Sequence, residues 1–306
     1  MKIAVTGGAG FIGSHVVEKL LAEGIEPIVI DNLSSGRREN IPAGASFVNM
    51  DVRSKTLREL FALERFDGVV HLAAQTMVPQ SLLDPGFDCD VNIQGTINVL
   101  EACREGKTKR IVFSSSAAVY GDADTLPLTE KSSQQPTSFY GLSKLTAEKY
   151  LELYYRLFGM EYVVLRYANV YGERQGDGGE GGVVSIFSRL IRQDKSLTVF
   201  GDGGQTRDFI YVGDVASANY KALLTENPNA IYNISTGLET SVNDLIAVME
   251  EAAAKPVARI YASPREGDIY RSRLDCQAAL TNLGWKPFTL LSNGIQRTYQ
   301  SLGGIP

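Results

Sequence analysis

The chain begins with short apolar runs that alternate with helical patterns. Residues 2–6 form an apolar run that ends in glycines, and apolar residues then recur every three or four positions from Ile12 to Leu21. A short apolar run bounded by turn residues predicts a buried strand, whereas the longer spacing predicts one face of a helix. Further strands are predicted at residues 27–30, 47–50, 68–72, 110–114 and 162–165. Because strands alternate with helices, we predict an α/β fold with a doubly wound parallel sheet of the Rossmann type.

The pattern changes after Arg166. A glycine-rich polar segment spans residues 172–182. Helices are then predicted near residues 184–192, 215–224, 242–254 and 292–300, with short strands at residues 197–200, 209–212, 231–233 and 257–261. We therefore predict a Rossmann domain over residues 1–166 and a smaller, mainly substrate-binding α/β lobe over residues 167–306, with some elements of the lobe returning to the main sheet.

Composition and charge narrow the class of protein. The 306 residues are 44% hydrophobic, which is enough for one large domain or two fused domains. A net charge of −5 without runs of like charge argues against nucleic acid or an anionic membrane as a partner. No apolar stretch has the length of a membrane span, and the first residues lack the pattern of a signal peptide. Cysteines without a metal-binding spacing fit a reducing compartment, so we expect a cytoplasmic protein without a metal site.

A glycine-rich loop joins the first predicted strand to the first predicted helix. It contains Gly7, Gly10 and Gly13, with Phe11 and Ile12 between the last two. A bound pyrophosphate needs free N–H groups at a helix N-terminus, and glycine removes the Cβ that would block its approach. The glycine pattern is weak alone, but here it follows a strand and opens a helix. The loop therefore predicts a dinucleotide site.

Asp31 supports the same prediction. It ends the second predicted strand about 20 residues after the loop, where the dinucleotide fingerprint has an acidic residue that binds the ribose hydroxyls. A carboxylate at this position repels a 2′-phosphate, so NAD is predicted rather than NADP.

Tyr140 and Lys144 form a candidate acid–base pair. They are four residues apart in a helix predicted over residues 139–158, so they share one face. A nearby ammonium favours the phenolate form of tyrosine and lowers its pKa. The predicted strand at residues 110–114 runs into Ser114, Ser115 and Ser116, and ligands in α/β sheets bind beyond the carboxyl ends of strands. Because isolated tyrosine–lysine pairs of this spacing are common, the interpretation depends on their combination with these serines and the glycine loop.

Six segments together resemble one known family. They are TGGAGFIGSH, HLAA, FSSSAAVYG, YGLSK, RYANVYG and RDFIYVGDVA, and they span nearly the whole chain. In their order and spacing they resemble the extended short-chain dehydrogenase/reductase family, and within it the UDP-sugar 4-epimerases of the UDP-glucose 4-epimerase type. The resemblance implies bound NAD and a UDP-sugar substrate.

The resemblance also implies roles for individual residues. Ser116, Tyr140 and Lys144 match the catalytic residues. The positions that match cofactor contacts are Gly7, Gly10, Phe11, Ile12, Gly13, Asp31, Asn32, Ser35, Gly36, Asp51, Val52, Leu72, Ala73, Ala74, Asn92, Ser114, Tyr140, Lys144 and Tyr167. The positions that match substrate contacts are Ser116, Tyr140, Asn169, Val183, Phe200, Arg207, Arg265, Asp268 and Ser272.

The implied reaction is the reversible inversion of C4 in a UDP-hexose, through a transient 4-keto sugar and without net redox change. The main alternative is a 4,6-dehydratase or decarboxylase of the same superfamily. Those enzymes carry an acidic residue directly after the catalytic serine or threonine, whereas Ala117 and Ala118 cannot transfer a proton. An NADPH-dependent sugar reductase is a second alternative, against which Asp31 argues. A non-catalytic NAD sensor is a third, against which the intact catalytic residues argue.

Three positions bear on the substrate. In related epimerases the position of Ser272 gates the sugar pocket: a tyrosine excludes N-acetyl groups and a small residue admits them. Ser272 therefore favours a pocket that takes UDP-GlcNAc and UDP-GalNAc as well as UDP-glucose and UDP-galactose. Ala118 replaces a residue that often carries a hydroxyl, and Thr76 replaces a lysine that often contacts phosphate. The presence of Thr76 instead of lysine weakens the match to the narrowest group of epimerases, the UDP-glucose 4-epimerases.

The resemblance further implies a homodimer. Helices at residues 91–103 and 145–158 of two copies would form a four-helix bundle. The apolar residues Leu151, Tyr154, Tyr155 and Phe158 suit either that interface or the internal core, and the sequence does not divide them.

Overall fold

A seven-stranded parallel sheet runs through the part of the chain that the structure describes, namely residues 1–176, 182–264 and 269–302 of a computed structural model. The elements of the first part are β1 (Lys2–Thr6), α1 (Phe11–Ala22), β2 (Glu26–Asp31), a 3-10 helix (Arg38–Asn40), β3 (Ser46–Asn49), α2 (Leu57–Glu64), β4 (Gly68–His71), α3 (Val78–Leu83), α4 (Pro85–Cys89), a π-helix (Asp90–Gln94), α5 (Gly95–Glu105), β5 (Arg110–Ser116), a 3-10 helix (Ala117–Val119), α6 (Phe139–Phe158) and β6 (Glu161–Tyr167).

The remaining elements include three further strand pairs, as far as the structure describes the chain. They are β7 (Asn169–Tyr171), α7 (Val183–Arg192), β8 (Leu197–Phe200), β9 (Thr206–Arg207), β10 (Phe209–Tyr211), α8 (Val212–Leu224), β11 (Ala230–Ile234), β12 (Thr240–Ser241), α9 (Val242–Ala253), β13 (Arg259–Ala262), α10 (Gln277–Asn282) and α11 (Leu291–Ser301). Strand β7 pairs with β10 and β8 with β13, both in parallel, while β9 and β12 are antiparallel.

The main sheet has the order β11-β6-β5-β4-β1-β2-β3. Helices cover both faces, which explains the nearly continuous apolar runs of the strands. In β1, Ile3 and Val5 pack with α1 and α8, whereas Ala4 between them packs on the opposite side with α2, α5 and α6. The predicted doubly wound α/β fold is confirmed.

The strand order places a crevice beside β1. The chain proceeds from β1 to β2 and β3 on one side, and from β4 to β5 and β6 on the other. In an open α/β sheet, ligands bind outside the carboxyl ends of strands at such a reversal of order. The glycine loop after β1 and the segment after β4 therefore face each other at this crevice.

Several element bounds differ from those predicted. Strand β5 continues to Ser116, and α8 begins at Val212, which had been assigned to the preceding strand. Residues 78–89 contain α3 and α4, which the apolar pattern does not indicate, and the helix expected over residues 91–103 divides into the π-helix and α5. Among the described residues, no helix is both long and apolar enough to cross a membrane.

A buried ion pair joins α6 to the sheet. Glu148 on α6 and Arg166 on β6 have side chains that are each 1% exposed, and Arg166 Nη2 lies 2.6 Å from Glu148 Oε2. Arg166 Nε also donates to Glu148 Oε1 at 3.0 Å, and the Ser115 hydroxyl donates to the same oxygen at 2.5 Å. The guanidinium stacks on the ring of Tyr120, with 4.9 Å to its centroid. Because α6 carries Tyr140 and Lys144, this pair fixes their helix against the strands.

The substitution Glu148→Gln tests the contribution of this pair. Removing one partner from a buried ion pair leaves the other charge uncompensated, which costs about 3–5 kcal/mol. We expect the free energy of unfolding in urea, followed by circular dichroism, to fall by about 3 kcal/mol. The matched control is Glu152→Gln on the same helix, because Glu152 pairs with Lys149 at the surface. Equal losses in the two variants would contradict a special role for the buried pair.

Candidate active site

The glycine loop is packed too tightly for side chains. A Cβ on Gly13 would lie 2.1 Å from the carbonyl oxygen of Gly7, and a Cβ on Gly7 would lie 2.7 Å from the backbone nitrogen of Ala73. Gly7 also has a φ of +71°, in the left-handed region that favours glycine. These contacts hold the start of α1 against the end of β4.

The first turn of α1 presents donors to an anion. Gly10 precedes the helix, and no side chain of the described residues caps it. The N–H groups of Phe11, Ile12 and Gly13 belong to the first turn, where such groups have no partner within the helix. These donors and the positive end of the helix dipole favour a bound phosphate. The residues present therefore fit the pyrophosphate of a dinucleotide.

Asp31 holds the loop in place and retains acceptor capacity. Its Oδ2 accepts a hydrogen bond from the Ala9 N–H at 3.0 Å, and its Oδ1 accepts one from the Leu33 N–H at 2.8 Å. An ionised carboxylate has about four acceptor sites, so ribose hydroxyls can still bind it. Gly36 lies against Ala9, where a Cβ would be 3.0 Å from the carbonyl carbon.

Four further positions that match cofactor contacts follow the ends of β2 and β3, namely Asn32, Ser35, Asp51 and Val52. Asn32 Nδ2 donates to Asp51 Oδ2 at 2.8 Å, which ties the two strand ends together. Hydrogen bonds from the Arg53 side chain hold the pKa of Asp51 well below its usual range. Val52 is buried and Ser35 is exposed. Side-chain contacts thus join Asn32, Asp51 and Arg53 beyond the carboxyl ends of these two strands.

Two hydrogen bonds with the Asn92 side chain hold the segment that follows β4. Leu72, Ala73 and Ala74 lead from the strand to Gln75, whose backbone N–H donates to Asn92 Oδ1 at 2.8 Å. Asn92 Nδ2 donates back to the Gln75 carbonyl at 2.9 Å. The buried Asn92 side chain is thus engaged with the protein backbone, so it holds the cofactor-facing segment in place.

Ser116, Tyr140 and Lys144 come together at the carboxyl end of β5. Ser116 ends the strand, and its Oγ accepts a hydrogen bond from the Ala118 N–H at 3.2 Å. Tyr140 lies in the first turn of α6, close enough to Ser116 for the serine to lower the pKa of its phenol. Lys144 Nζ donates to the Ser114 carbonyl at 2.8 Å and lies 5.9 Å from the centroid of the Tyr140 ring. The three predicted catalytic side chains therefore share one site.

Burial governs the protonation of this group. It raises the pKa of Tyr140 to about 12, although the nearby Ser116 lowers it. It also lowers the pKa of Lys144 to about 8, against the opposing charges of Asp88 and Glu148. At neutral pH, Lys144 is therefore an ammonium and Tyr140 a neutral phenol in the protein alone. A phenolate requires further positive charge beside Tyr140.

Tyr167 forms a neutral wall of the site. It ends β6 directly beside Ser116 in the strand register. Its hydroxyl donates to Asn219 Oδ1 at 3.0 Å and is hydrogen-bonded to the Ser114 side chain. Burial raises the pKa of Tyr167, so this phenol keeps its proton.

The predicted substrate residues lie on separate elements of the second part of the chain. They are Asn169 on β7, Val183 at the start of α7, Phe200 at the end of β8, Arg207 on β9 and Ser272 between β13 and α10. Asn169 and Val183 line one small cavity of about 30 Å³ together with Gln175. The structure thus brings Asn169 and Val183 together. Arg265 and Asp268 lie outside the described residues.

Sequence reasoning missed a hydrogen-bonded chain below the crevice. The His71 ring contacts Thr6 Oγ1 through Nδ1 at 2.7 Å and Thr96 Oγ1 through Nε2 at 3.0 Å. Because Thr96 Oγ1 donates its own proton to the Asn92 carbonyl at 2.6 Å, we assign the ring proton to Nε2. Burial lowers the pKa of His71 to about 3, so the ring is neutral. The HLAA segment that contains His71 was the available signal.

Four further polar residues around the site were also missed. They are Gln75, Asp88, Glu148 and Arg166, all of which are at most 7% exposed. The position of Glu148, four residues after Lys144, was a usable signal because it places both on one helix face. The other three are brought to the site by packing between distant segments.

A further cavity lies at the amino ends of the central strands. It measures about 1000 Å³ and includes Gly68, Arg110 and Glu161, which begin β4, β5 and β6. Arg110 is already engaged there with Glu161 and with the carbonyl of Leu223. Because α/β sheets bind ligands beyond the carboxyl ends of their strands, this cavity is not the active site.

Known proteins resemble this chain over most of its length. Residues 3–235 match the family described as "NAD dependent epimerase/dehydratase family". A protein of Methanocaldococcus jannaschii named "Putative UDP-glucose 4-epimerase" is 49% identical, with 96% of each chain covered. The crystal structure of UDP-glucose 4-epimerase with UDP-glucose from Thermotoga maritima has a TM-score of 0.96 and 41% identity, with 99% of each chain covered.

A third comparison concerns acetylated sugars. The UDP-N-acetylglucosamine 4-epimerase of Methanobrevibacter ruminantium, in complex with UDP-N-acetylmuramic acid, has a TM-score of 0.94 and 32% identity, with 98% of this chain and 97% of that chain covered. The resemblance and the cofactor class predicted from the sequence are thus confirmed. The chain belongs to the NAD-dependent epimerase/dehydratase family.

Proposed function

We propose that this protein is an NAD-dependent UDP-hexose 4-epimerase that interconverts UDP-glucose and UDP-galactose. The observation that carries the proposal is the convergence of Ser116, Tyr140 and Lys144 beside a glycine loop that fits a pyrophosphate. Relatives along the full length of the chain are named UDP-glucose 4-epimerases. A cytoplasmic location is part of the proposal.

Tyr140 acts as the acid–base group on the sugar 4-hydroxyl. Its phenolate removes the hydroxyl proton as C4 is oxidised, and the phenol returns that proton when C4 is reduced. NAD, which the glycine loop and Asp31 would hold, would supply the hydride acceptor and donor for C4. Lys144 supplies a fixed ammonium that favours the phenolate, because an opposite charge nearby lowers a tyrosine pKa. Ser116 donates to the oxygen at C4 as it becomes a carbonyl.

The segment after Ser116 argues against dehydration or decarboxylation. Those reactions need a second acid or base beside the serine. Ala117 and Ala118 occupy the 3-10 helix that follows β5, and Ala118 contributes only its backbone N–H to Ser116. Since methyl side chains hold no transferable proton, the site favours a reaction that Tyr140 alone can serve in both directions.

Tyr140→Phe tests the proposed function. The variant lacks the phenolic oxygen, so C4 inversion should slow by at least about 10²–10⁴-fold while NAD binding and fold are retained. Inversion is measured by NMR on UDP-glucose and UDP-galactose, and circular dichroism monitors the fold. Tyr155→Phe is the matched control because Tyr155 is 41% exposed on the same helix. Turnover of Tyr140→Phe close to that of the wild type would refute the assignment.

We further propose that the sugar pocket admits N-acetylated substrates. Ser272 is half-buried, and its side chain is much smaller than the tyrosine that excludes N-acetyl groups in related epimerases. A structural neighbour with 32% identity is named a UDP-N-acetylglucosamine 4-epimerase, which supports this wider pocket.

Ser272→Tyr tests the width of the pocket. Overpacking costs about 1–3 kcal/mol, so turnover of UDP-GlcNAc should fall about 5–150-fold while turnover of UDP-glucose is retained. Ser272→Ala is the control and should keep both activities. The ratio of kcat/KM for the two substrates is the measurement. If Ser272→Tyr leaves this ratio of kcat/KM values unchanged, Ser272 does not determine whether N-acetylated substrates are accepted.

We also propose that two copies of the chain pair through α5 and α6. Leu151 is buried in the core, whereas Leu157 and Phe158 are 63% and 52% exposed on α6. Tyr154 donates to Glu101 on α5, which ties the two helices into one surface. A second copy would cover the exposed apolar side chains.

Leu157→Glu tests the dimer. A charge in an apolar interface is costly to bury, so this variant should sediment as a monomer where the wild type sediments as a dimer. Leu63→Glu is the matched control, because Leu63 is 79% exposed on α2. A wild-type monomer at micromolar concentration would rule out the proposed pairing.

A further inference from the structure

Asp88 is a buried carboxylate near α6, the helix that carries Tyr140 and Lys144. It lies on α4 and is 1% exposed. Its Oδ1 accepts hydrogen bonds from Gln75 Nε2 at 2.9 Å and from Asn92 Nδ2 at 3.2 Å. Both donors are neutral amides, so they satisfy the oxygen without compensating its charge.

A chain of hydrogen bonds connects this carboxylate to the first turn of α6. Asn92 Nδ2 also lies 3.0 Å from Ser143 Oγ, so its two hydrogens are shared among three acceptors, namely the Gln75 carbonyl, Asp88 Oδ1 and Ser143 Oγ. The Ser143 hydroxyl in turn donates to the Tyr140 carbonyl at 3.0 Å. Ser143 directly precedes Lys144 in the chain. The contacts of Asn92 with Asp88 and Ser143 therefore stabilise the turn that carries Tyr140 and Lys144.

Asp88 differs from Glu148, the other acidic residue near Lys144, in its charged partners. Glu148, the other acidic group that acts on Lys144, is in a close ion pair with Arg166. Asp88 has no salt-bridge partner among the residues that the structure describes. The remaining titratable groups near Lys144 are Tyr140 and the neutral His71. A buried charge is stable only when compensated, and Asp88 and Lys144 have opposite charges in the same interior.

We propose that Asp88 is a positioning residue for the acid–base pair: its charge holds Lys144 as the ammonium, and its amide partners fix the turn of α6 that presents Tyr140. The inference rests on the proposed function for the role of the pair in catalysis. The burial of Asp88 and its contacts stand independently of that role.

The direction of the effect follows from the signs of the charges. Asp88 raises the pKa of Lys144 and also raises the pKa of Tyr140. Removing its charge therefore lowers both pKa values. If activity needs a Tyr140 phenolate and a Lys144 ammonium, both limbs of the pH profile move to lower pH.

Asp88→Asn in the NAD-loaded protein is the test. Lysines labelled with ¹³C at Cε report the titration of Lys144 by NMR, with the signal assigned through Lys144→Met. We expect the midpoint of Lys144 to fall by roughly one pH unit, and the optimum of kcat to move to lower pH. Asp90→Asn is the matched control, because Asp90 lies two residues away, is exposed and pairs with Arg53. It should leave the midpoint unchanged.

A midpoint of Lys144 that does not move in folded Asp88→Asn would overturn the proposal. Should this variant fail to fold, Asp88→Ser removes the same charge with a smaller side chain and must give the same shift. Failure of the proposed function is a separate result. It would be seen as a wild-type protein without C4 inversion, whatever the NMR titration shows.

Discussion

The buried pair of Arg166 and Glu148 is the interaction on which the geometry of the active site depends. Neither charge is stable in the interior without the other, so α6 has one rotation relative to the sheet. Glu148 lies one turn beyond Lys144, and the same rotation places Lys144 Nζ on the carbonyl of Ser114. Ser115 adds a hydrogen bond from the intervening strand. The ion pair and the Ser115 hydrogen bond thus fix where Lys144 lies relative to the end of β5.

The parts of the site that depend on local sterics were predictable from the sequence. Gly13 has to lack a side chain because of Gly7, only six residues earlier. Tyr140 and Lys144 share a face because of helical spacing alone. The buried strands were visible because both faces of the sheet are covered, and the place of Ser116 followed from the direction of its strand. For Gly13, Tyr140 and Lys144, the cause lies within a few residues of its effect.

The side-chain partners across the fold were not predictable in this way. Asn92 was assigned to an ordinary helix, but a π-helix over Asp90–Gln94 carries it, and its partner is Gln75, 17 residues away. No periodicity encodes such a contact. The sequence also did not predict which apolar residues of α6 are buried. The helical pattern fits both the buried Leu151 and the exposed Phe158. Whether such a residue is buried depends on which helices and strands pack against that side of α6.

Strand β11 has a consequence for synthesis of the chain. It pairs with β6 although more than sixty residues separate them. Until residue 234 has left the ribosome, β6 is therefore an edge strand with a row of unpaired N–H and C=O groups. Such edges template pairing with other chains, and N-terminal segments emerge first during translation. The seven-stranded sheet is thus completed late, by a strand from the second part of the chain, and a nascent chain that ends before β11 carries an edge open to misassembly.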